Sequence, residues 1–481
     1  MSATLRQIQA LLGQGRLDEA FADATAWSKA SPDAAAAHLA VAQVLCLKGR
    51  PIEGIDAAAR AVELAPEHRQ SRIQLGHAQL LASRPDEAEQ TYTDALAIWP
   101  GDAELVGLMG ELFAIQRRAD EAETLLTPHL DDDPVAPQVI LAFASIAARV
   151  GRAGEAIDRL RAFIASDAPD HFRRQAEFRL GTLLDREGRY DDAFEAFQRG
   201  NDAVATSFSP QARDAMVTEI VRMWDRKSIA RLAKMGSASV TPILILKMPR
   251  TGSTLVEQIL SAHPAVSAAG ERGTLGRTAA SLGVDRADTH AAARLRRLTR
   301  DDVGRAAKLA ERDLADAAGQ ARHITDSSLT NDRHAGLFAG LFPKAPVIIC
   351  TRHPWDTCLS CYFQDFSGSL PWSHRLSHIA HYHRAHDRLL AHWQSVLPNP
   401  VHVVAYEALV SQPEASIRAM LDAVGLDWDD RCLAFQKNRR VAVTASNEQV
   451  TRPMYSSSVH RYRNYAAHID ELRRILPQSD D

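Results

Sequence analysis

The sequence predicts two folds in tandem. An all-helical repeat solenoid occupies residues 1–205, and an α/β domain with a mostly parallel sheet and a P-loop-like first turn occupies residues 241–481. A helical connector at 206–240 joins them. Three observations predict this. Prolines and small residues recur with a period of 34 through the first two hundred residues. After residue 241, short apolar runs bounded by turns alternate with helical stretches. Two of those runs end in arginine-bearing loops that lead into helices.

Pro32, Pro66, Pro100 and Pro134 keep the period, and Pro169 follows one residue late. Ala20, Ala88, Ala122 and Ala156 form a second register, with Gly54 filling the vacant step. Ala42, Gly76, Gly110 and Ala144 form a third. A turn signal of the type G-R-x-x-E-A recurs from Gly15–Ala20 to Gly188–Ala193. Each unit is expected to be two antiparallel helices whose small residues allow close approach, with the proline ending the second helix. One such unit cannot bury its apolar face alone, so neighbours must stack. The pattern resembles the tetratricopeptide repeat, with the displaced last unit, Phe172–Val204, expected to cap the array. A groove for a protein partner and a spacer or dimerisation arm are both compatible with such an array.

Residues 207–236 remain helical in pattern but leave the period. The grammar then changes. The run ILIL after Thr241–Pro242 precedes KMPRTGSTLVEQILSAHP, an apolar strand, a small-residue loop and an amphipathic helix. AVSAAG, HITD (323–326), APVIICTR (345–352) and VHVVAY (401–406) read as further strands. The helical stretches between them imply a mostly parallel sheet covered on both faces.

Chemistry is expected where these strands end. Pro249 to Thr254 lies between the first strand and its helix, where backbone N–H groups and the helix N-terminus favour a phosphate or sulfate. Gly252 admits close backbone approach, and Ser253 and Thr254 add hydroxyl donors. The loop lacks the G-x-x-x-x-G-K-[ST] pattern of a Walker A motif. The strand ending in Thr351-Arg352-His353-Pro354 offers a second anion site. Arg352 supplies a guanidinium fork there, and Ser360 a hydroxyl two turns into the next helix. Two anion sites on one sheet edge imply a ligand with phosphate groups at both ends.

The segments PRTGSTLVEQILSAHPAVSAAGE and LFPKAPVIICTRHPWDTCLSCYFQDF resemble the PAPS-dependent sulfotransferases. The likeness continues through VVAYEALV and TASNEQVTRPMYSSSVHRYRNY, covering residues 241–475. With the repeats in front, the chain is similar to bacterial tetratricopeptide-repeat sulfotransferases, which are related to tyrosylprotein sulfotransferases. The resemblance implies that Arg250, Thr251, Gly252, Ser253 and Thr254 hold the 5′-phosphosulfate of PAPS (3′-phosphoadenylyl sulfate). Arg250 would stabilise the leaving oxygen, and Arg352 and Ser360 would bind the 3′-phosphate. Tyr406 would approach the adenine, Ser446 and Arg452 would close over the nucleotide, and Glu271 would be the general base. One departure stands out. Relatives usually carry lysine after Asp326, where this chain has Ser327, and glycine where it has Lys247. Lys247 is therefore expected either to supply the missing ammonium to the transferring group or to point into solvent beside an impaired site.

Composition narrows the remaining possibilities. The 56 basic and 60 acidic residues give a formal net charge of -4, which argues against a nucleic-acid or membrane-surface binder. Five cysteines, at 46, 350, 358, 361 and 432, are too few for a disulfide framework and suit a reducing compartment. The N-terminal stretch carries acidic residues and no long apolar run, and no segment is long enough to span a bilayer, so a cytoplasmic protein is expected. A single C-x-x-C pair, Cys358 and Cys361, is a poor zinc site, and no metal is expected. The histidines between 374 and 392 read as a polar face or an acceptor-site rim. The resulting expectation is an enzyme moving a sulfuryl group from PAPS to a hydroxyl or amine acceptor. A peptide tyrosine, carbohydrate, lipid or small phenol would each suit. The rival readings are a non-catalytic repeat scaffold with a degenerate nucleotide-binding domain, and a P-loop kinase, which the absent Walker lysine disfavours.

Overall fold

The structure is a computed structural model, and it describes residues 3–82, 84–319, 321–366, 370–437 and 454–477. The chain divides into two compact units, Met1–Arg189 and Tyr190–Asp481. Among the described residues, no helix is long and apolar enough to cross a membrane.

The first unit is built from helix pairs, from Ala3–Gly13 with Leu17–Ala30 to Pro137–Ile146 with Ala153–Ile164, followed by Asp170–Arg186. The small-residue registers mark where helices touch. Ala20, Ala42, Ala88, Ala122 and Ala156 are fully buried. A Cβ added to Gly76 would lie 2.3 Å from the Tyr92 ring, so any larger residue would push the two helices of that pair apart. The G-R-x-x-E-A signal also acquires a physical meaning. Its arginine is the N-cap of each second helix and bonds the glutamate three residues on, at 2.7 Å in Arg16–Glu19 and 2.6 Å in Arg50–Glu53 and Arg118–Glu121. Arg118 and Arg152 reach back to Glu89 and Glu123 of the preceding pair, linking neighbours. Water screens these exposed pairs, so the ladder sets how one pair meets the next more than it stabilises the unit.

In the second unit a five-stranded, all-parallel sheet is formed by β1 (Pro242–Lys247), β2 (Val266–Ala268), β3 (His323–Asp326), β4 (Val347–Thr351) and β5 (Val401–Ala405). Its spatial order is β2-β3-β1-β4-β5. The central strands β1 and β4 are buried on both faces, which is why they read as continuous apolar runs. Leu244, Leu246, Val347 and Ile349 pack on one side against Trp224, Phe338 and Trp393. Ile243, Ile245 and Ile348 pack on the other against Leu260, Ile417 and Phe435. From β1 the sheet grows first toward β2 and β3 and then toward β4 and β5, so the crevice at the C-terminal ends of β3, β1 and β4 is the topological switch point.

A buried ion-pair cluster fixes the helices flanking this sheet. Asp332 accepts from Arg213 at 3.0 Å and lies 3.1 Å from His386 Nδ1, and all three side chains are buried. Burial alone would raise the Asp332 carboxyl. The His386 hydrogen bond and the Arg213 charge outweigh it and hold the group well below the usual carboxylate range. His374 and His383 are buried as well, and His374 faces Asn201 at 3.2 Å. These three histidines therefore serve the interior rather than a rim.

Helix Tyr190–Asp202, read from the sequence as the end of the repeats, groups with the second unit. Phe194 and Phe197 are buried there, against Tyr362, Phe363 and Tyr465, and Asn201 Nδ2 donates to the Tyr362 carbonyl at 2.9 Å. A fragment of residues 190–481 is expected to fold and melt as one cooperative unit, whereas 206–481, which loses these two aromatic side chains, should aggregate or melt at lower temperature. Equal melting by the two fragments would show that the helix is dispensable to this core.

Candidate active site

The loop after β1 is shaped by its own backbone. Thr251 Oγ1 donates to the Met248 carbonyl at 2.8 Å, closing a tight turn, and Arg250 lies in the left-handed region at φ 69°. Gly252 is the N-cap of helix Ser253–Ala262 at φ 85°. A Cβ there would be strained by that φ and would stand 2.7 Å from the Tyr406 ring, so only glycine suits the position. Thr251, Ser253 and Thr254 are buried at the helix N-terminus, where N–H groups and the helix dipole favour an anion.

The second predicted anion site adjoins the first. Arg352, just past β4, donates from Nη1 to the Arg250 carbonyl at 3.0 Å and from Nη2 to the Ser458 carbonyl at 2.6 Å. Its guanidinium carbon lies 5.0 Å from the centroid of the Tyr406 ring. Its Nε is buried and has no hydrogen-bond partner among the described residues. Arg250 Nε donates to Ser360 Oγ at 3.0 Å. The structure thus brings Arg250, Ser360, Arg352, Gly252 and Tyr406 into one cradle in which the two predicted anion sites adjoin. Burial pushes the Arg250 guanidinium below its ordinary value. Arg352 and Arg461 add to that repulsion, and Cys361 and Tyr455 partly oppose it. An anion bound here would relieve both effects.

Residues 454–477 pack onto the same edge. Tyr462 N donates to Asp356 Oδ1 at 2.8 Å, and its ring stacks on His353 at 4.5 Å. Arg461 and Ser458 lie on this segment, and no local sequence pattern points to either. Only the juxtaposition of 458–461 with the β1 and β4 loops reveals them. Ser446 and Arg452 lie outside the described residues.

Lys247, the last residue of β1, is 5% exposed and does not reach solvent. Its Nζ donates to Glu271 Oε1 at 2.6 Å. Glu271 lies in the turn after β2 with its side chain about one-third exposed (36%), so it is partly open to solvent. The two departures of the sequence therefore belong to one structure. Ser327 and Ser328 occupy the turn after β3, and the cation stands on the neighbouring strand, paired with the candidate base. Nothing else in the sequence signals that pairing, because it depends on β1 reaching past β3.

The two C-x-x-C thiols are buried. Burial pushes Cys361 up to about 12 and Cys358 well above its ordinary value, so both are protonated packing groups at neutral pH. Cys361 Sγ lies 3.5 Å from the Pro249 carbonyl, beneath the anion loop.

Comparison with known proteins follows the same division. Residues 242–430 match the sulfotransferase family, and residues 5–69, 48–103, 79–146 and 141–207 match tetratricopeptide-repeat families. An uncharacterized protein of Aquifex aeolicus (strain VF5) is 30% identical over 339 residues, covering 67% of this chain. This chain spans only 44% of that relative's length. Among solved structures, the sulfotransferase domain of the Synechococcus PCC 7002 olefin synthase is similar at 21% identity and a TM-score of 0.35, with 47% of this chain and 89% of that one covered. A tetratricopeptide repeat protein from Parabacteroides merdae ATCC 43184 is similar at 14% identity and a TM-score of 0.37, covering 42% and 78%. This chain carries tetratricopeptide repeats followed by a sulfotransferase-family domain.

Proposed function

We propose that the second unit transfers a sulfuryl group from PAPS to a hydroxyl or amine acceptor, and that the repeats recruit the acceptor or a partner. The observation that carries this reading is the arginine cradle at the ends of β1 and β4, with the Lys247–Glu271 pair on the same sheet edge. The backbone of 250–254 would hold the 5′-phosphosulfate. Arg352 and Ser360 would take the 3′-phosphate, Tyr406 would flank the nucleotide, and Ser446 and Arg452 would cover it.

In the transfer, the acceptor oxygen attacks sulfur as the bond from sulfur to the bridging phosphate oxygen breaks. The transition state is loose, so positioning and cationic donors supply most of the catalysis. Glu271 accepts the acceptor proton on the carboxylate oxygen that Lys247 leaves free. Arg250 and the loop N–H groups neutralise the charge left on 3′,5′-ADP. In this reading Lys247, on the same sheet edge as Glu271, would supply the ammonium that Ser327 cannot, which favours an active enzyme over a degenerate scaffold.

Calorimetry with 3′,5′-ADP against ATP tests the nucleotide assignment, and turnover of labelled PAPS with an acceptor panel tests activity. Tight ATP binding with none of 3′,5′-ADP would overturn the reading in favour of a kinase-like site. Arg352→Ala is expected to weaken 3′,5′-ADP by about 1.5–3 kcal/mol, roughly 10- to 150-fold, because a charge-assisted contact is lost. Adenosine 5′-phosphosulfate, which lacks the 3′-phosphate, should lose far less. Equal losses would mean that Arg352 does not read the 3′-phosphate.

A further inference from the structure

The turn that carries Glu271 is held from both sides by the turn after β3. Ahead of Glu271, the Gly270 carbonyl accepts from Ser327 N at 3.0 Å. Beyond it, Gly273 N donates to Ser328 Oγ at 2.7 Å. Ser328 Oγ has a single proton, and it goes to Asp326 Oδ1 at 2.6 Å. The same carboxylate oxygen accepts from Ser328 N at 3.0 Å and from Asn331 Nδ2 at 3.1 Å. Asp326, Ser327, Ser328 and Asn331 are all buried, each 3% exposed or less.

The direction of this chain is forced. Gly273 N can only donate, so Ser328 Oγ must accept from it, and its own proton must point to Asp326. Asp326 Oδ1 is oriented in turn by three donors. The result is a rigid path from the end of β3 to the backbone two residues past Glu271. With Lys247 on the carboxylate, Glu271 is fixed at three points. A general base works only within hydrogen-bond reach of the proton that it removes, so this fixation has catalytic value.

We infer that Ser328, oriented by Asp326, is a positioning residue that holds Glu271 in place for proton removal. The inference rests on the reading of Glu271 as the base. In this chain the β3 turn fixes the base, through the Ser327 N–H and the Ser328 hydroxyl, while β1 provides the cation.

The test uses the full chain, labelled PAPS and a simple phenol as acceptor probe. Ser328→Ala is expected to speed hydrogen exchange across residues 270–274 but not across 253–262. It should lower turnover roughly 10- to 100-fold with 3′,5′-ADP affinity unchanged within about twofold. Ser328→Thr, which keeps the hydroxyl, should recover most of the rate. In a Glu271→Gln background the same Ser328→Ala change should cost almost nothing more, because there is no base left to misplace. An equal fold-loss in both backgrounds would make Ser328 merely structural and overturn the inference, as would unchanged turnover with exchange accelerated. Unchanged exchange would remove the clamp while leaving the sulfotransferase reading intact. If Glu271→Gln alone leaves turnover unchanged, the base assignment fails, and the positioning role fails with it.

Discussion

Replacing Glu271 by glutamine is expected to lower sulfuryl transfer roughly 10²-fold or more while nucleotide affinity stays within about twofold. The amide keeps the size and one acceptor oxygen of the carboxylate but cannot take the acceptor proton. Nucleotide affinity should survive because Glu271 lies after β2, whereas the cradle is made by the loops after β1, β4 and β5. A second consequence follows from burial. Lys247 is 5% exposed, so removing the negative charge leaves an ammonium without its partner in a poorly hydrated place. The variant should therefore melt earlier than the wild type, by an amount limited by the water that already reaches Glu271. Transfer at the wild-type rate by the glutamine variant would remove Glu271 from the base role. A parallel collapse of 3′,5′-ADP binding would mean that the lesion spreads through the sheet edge and is not chemical.

What the sequence makes legible depends on how local each cause is. The repeats are legible because one contact, a small residue against a neighbouring helix, must recur at a fixed step, as at Ala88 and Ala122. The strands are legible because a sheet covered on both faces needs uninterrupted apolar runs such as Val347–Cys350. The places of Arg250, Arg352 and Ser360 are legible because they follow from strand ends and one helix. Where the last helix before residue 205 packs is not legible. Whether Tyr190–Asp202 belongs with the repeats or the sheet is decided by Phe194 and Phe197 meeting Tyr362 and Phe363, residues far along the chain. The positions of Arg461, Ser458 and Ser328 are not legible for the same reason, since what each one meets is set by a loop that the topology brings alongside. The fate of Lys247 was likewise open from sequence, because a lysine at a strand end reads equally as solvated or inward.

Lys247→Met, which keeps most of the stem and removes the ammonium, is expected to reduce turnover roughly 10²- to 10³-fold, the size of effect seen when one preorganised donor to a developing charge is lost. The fold should tolerate it better than the reverse change, since the partner left behind is the partly exposed Glu271 and not a buried cation. Adding Ser327→Lys should restore a good part of the rate, because the end of β3 lies beside β1 and a lysine stem is flexible enough to bring its ammonium to the same edge. Two roles for Lys247 remain to be separated, and the Glu271→Gln background separates them. If Lys247 only holds the base, Lys247→Met adds no further loss once the base is gone. If it neutralises the transferring sulfuryl group, the losses multiply, because the charge on that group develops whether or not a base is present. The multiplied loss is the expected result. Undiminished turnover by the single Lys247→Met variant would show the ion pair to be structural and would leave Ser327 uncompensated.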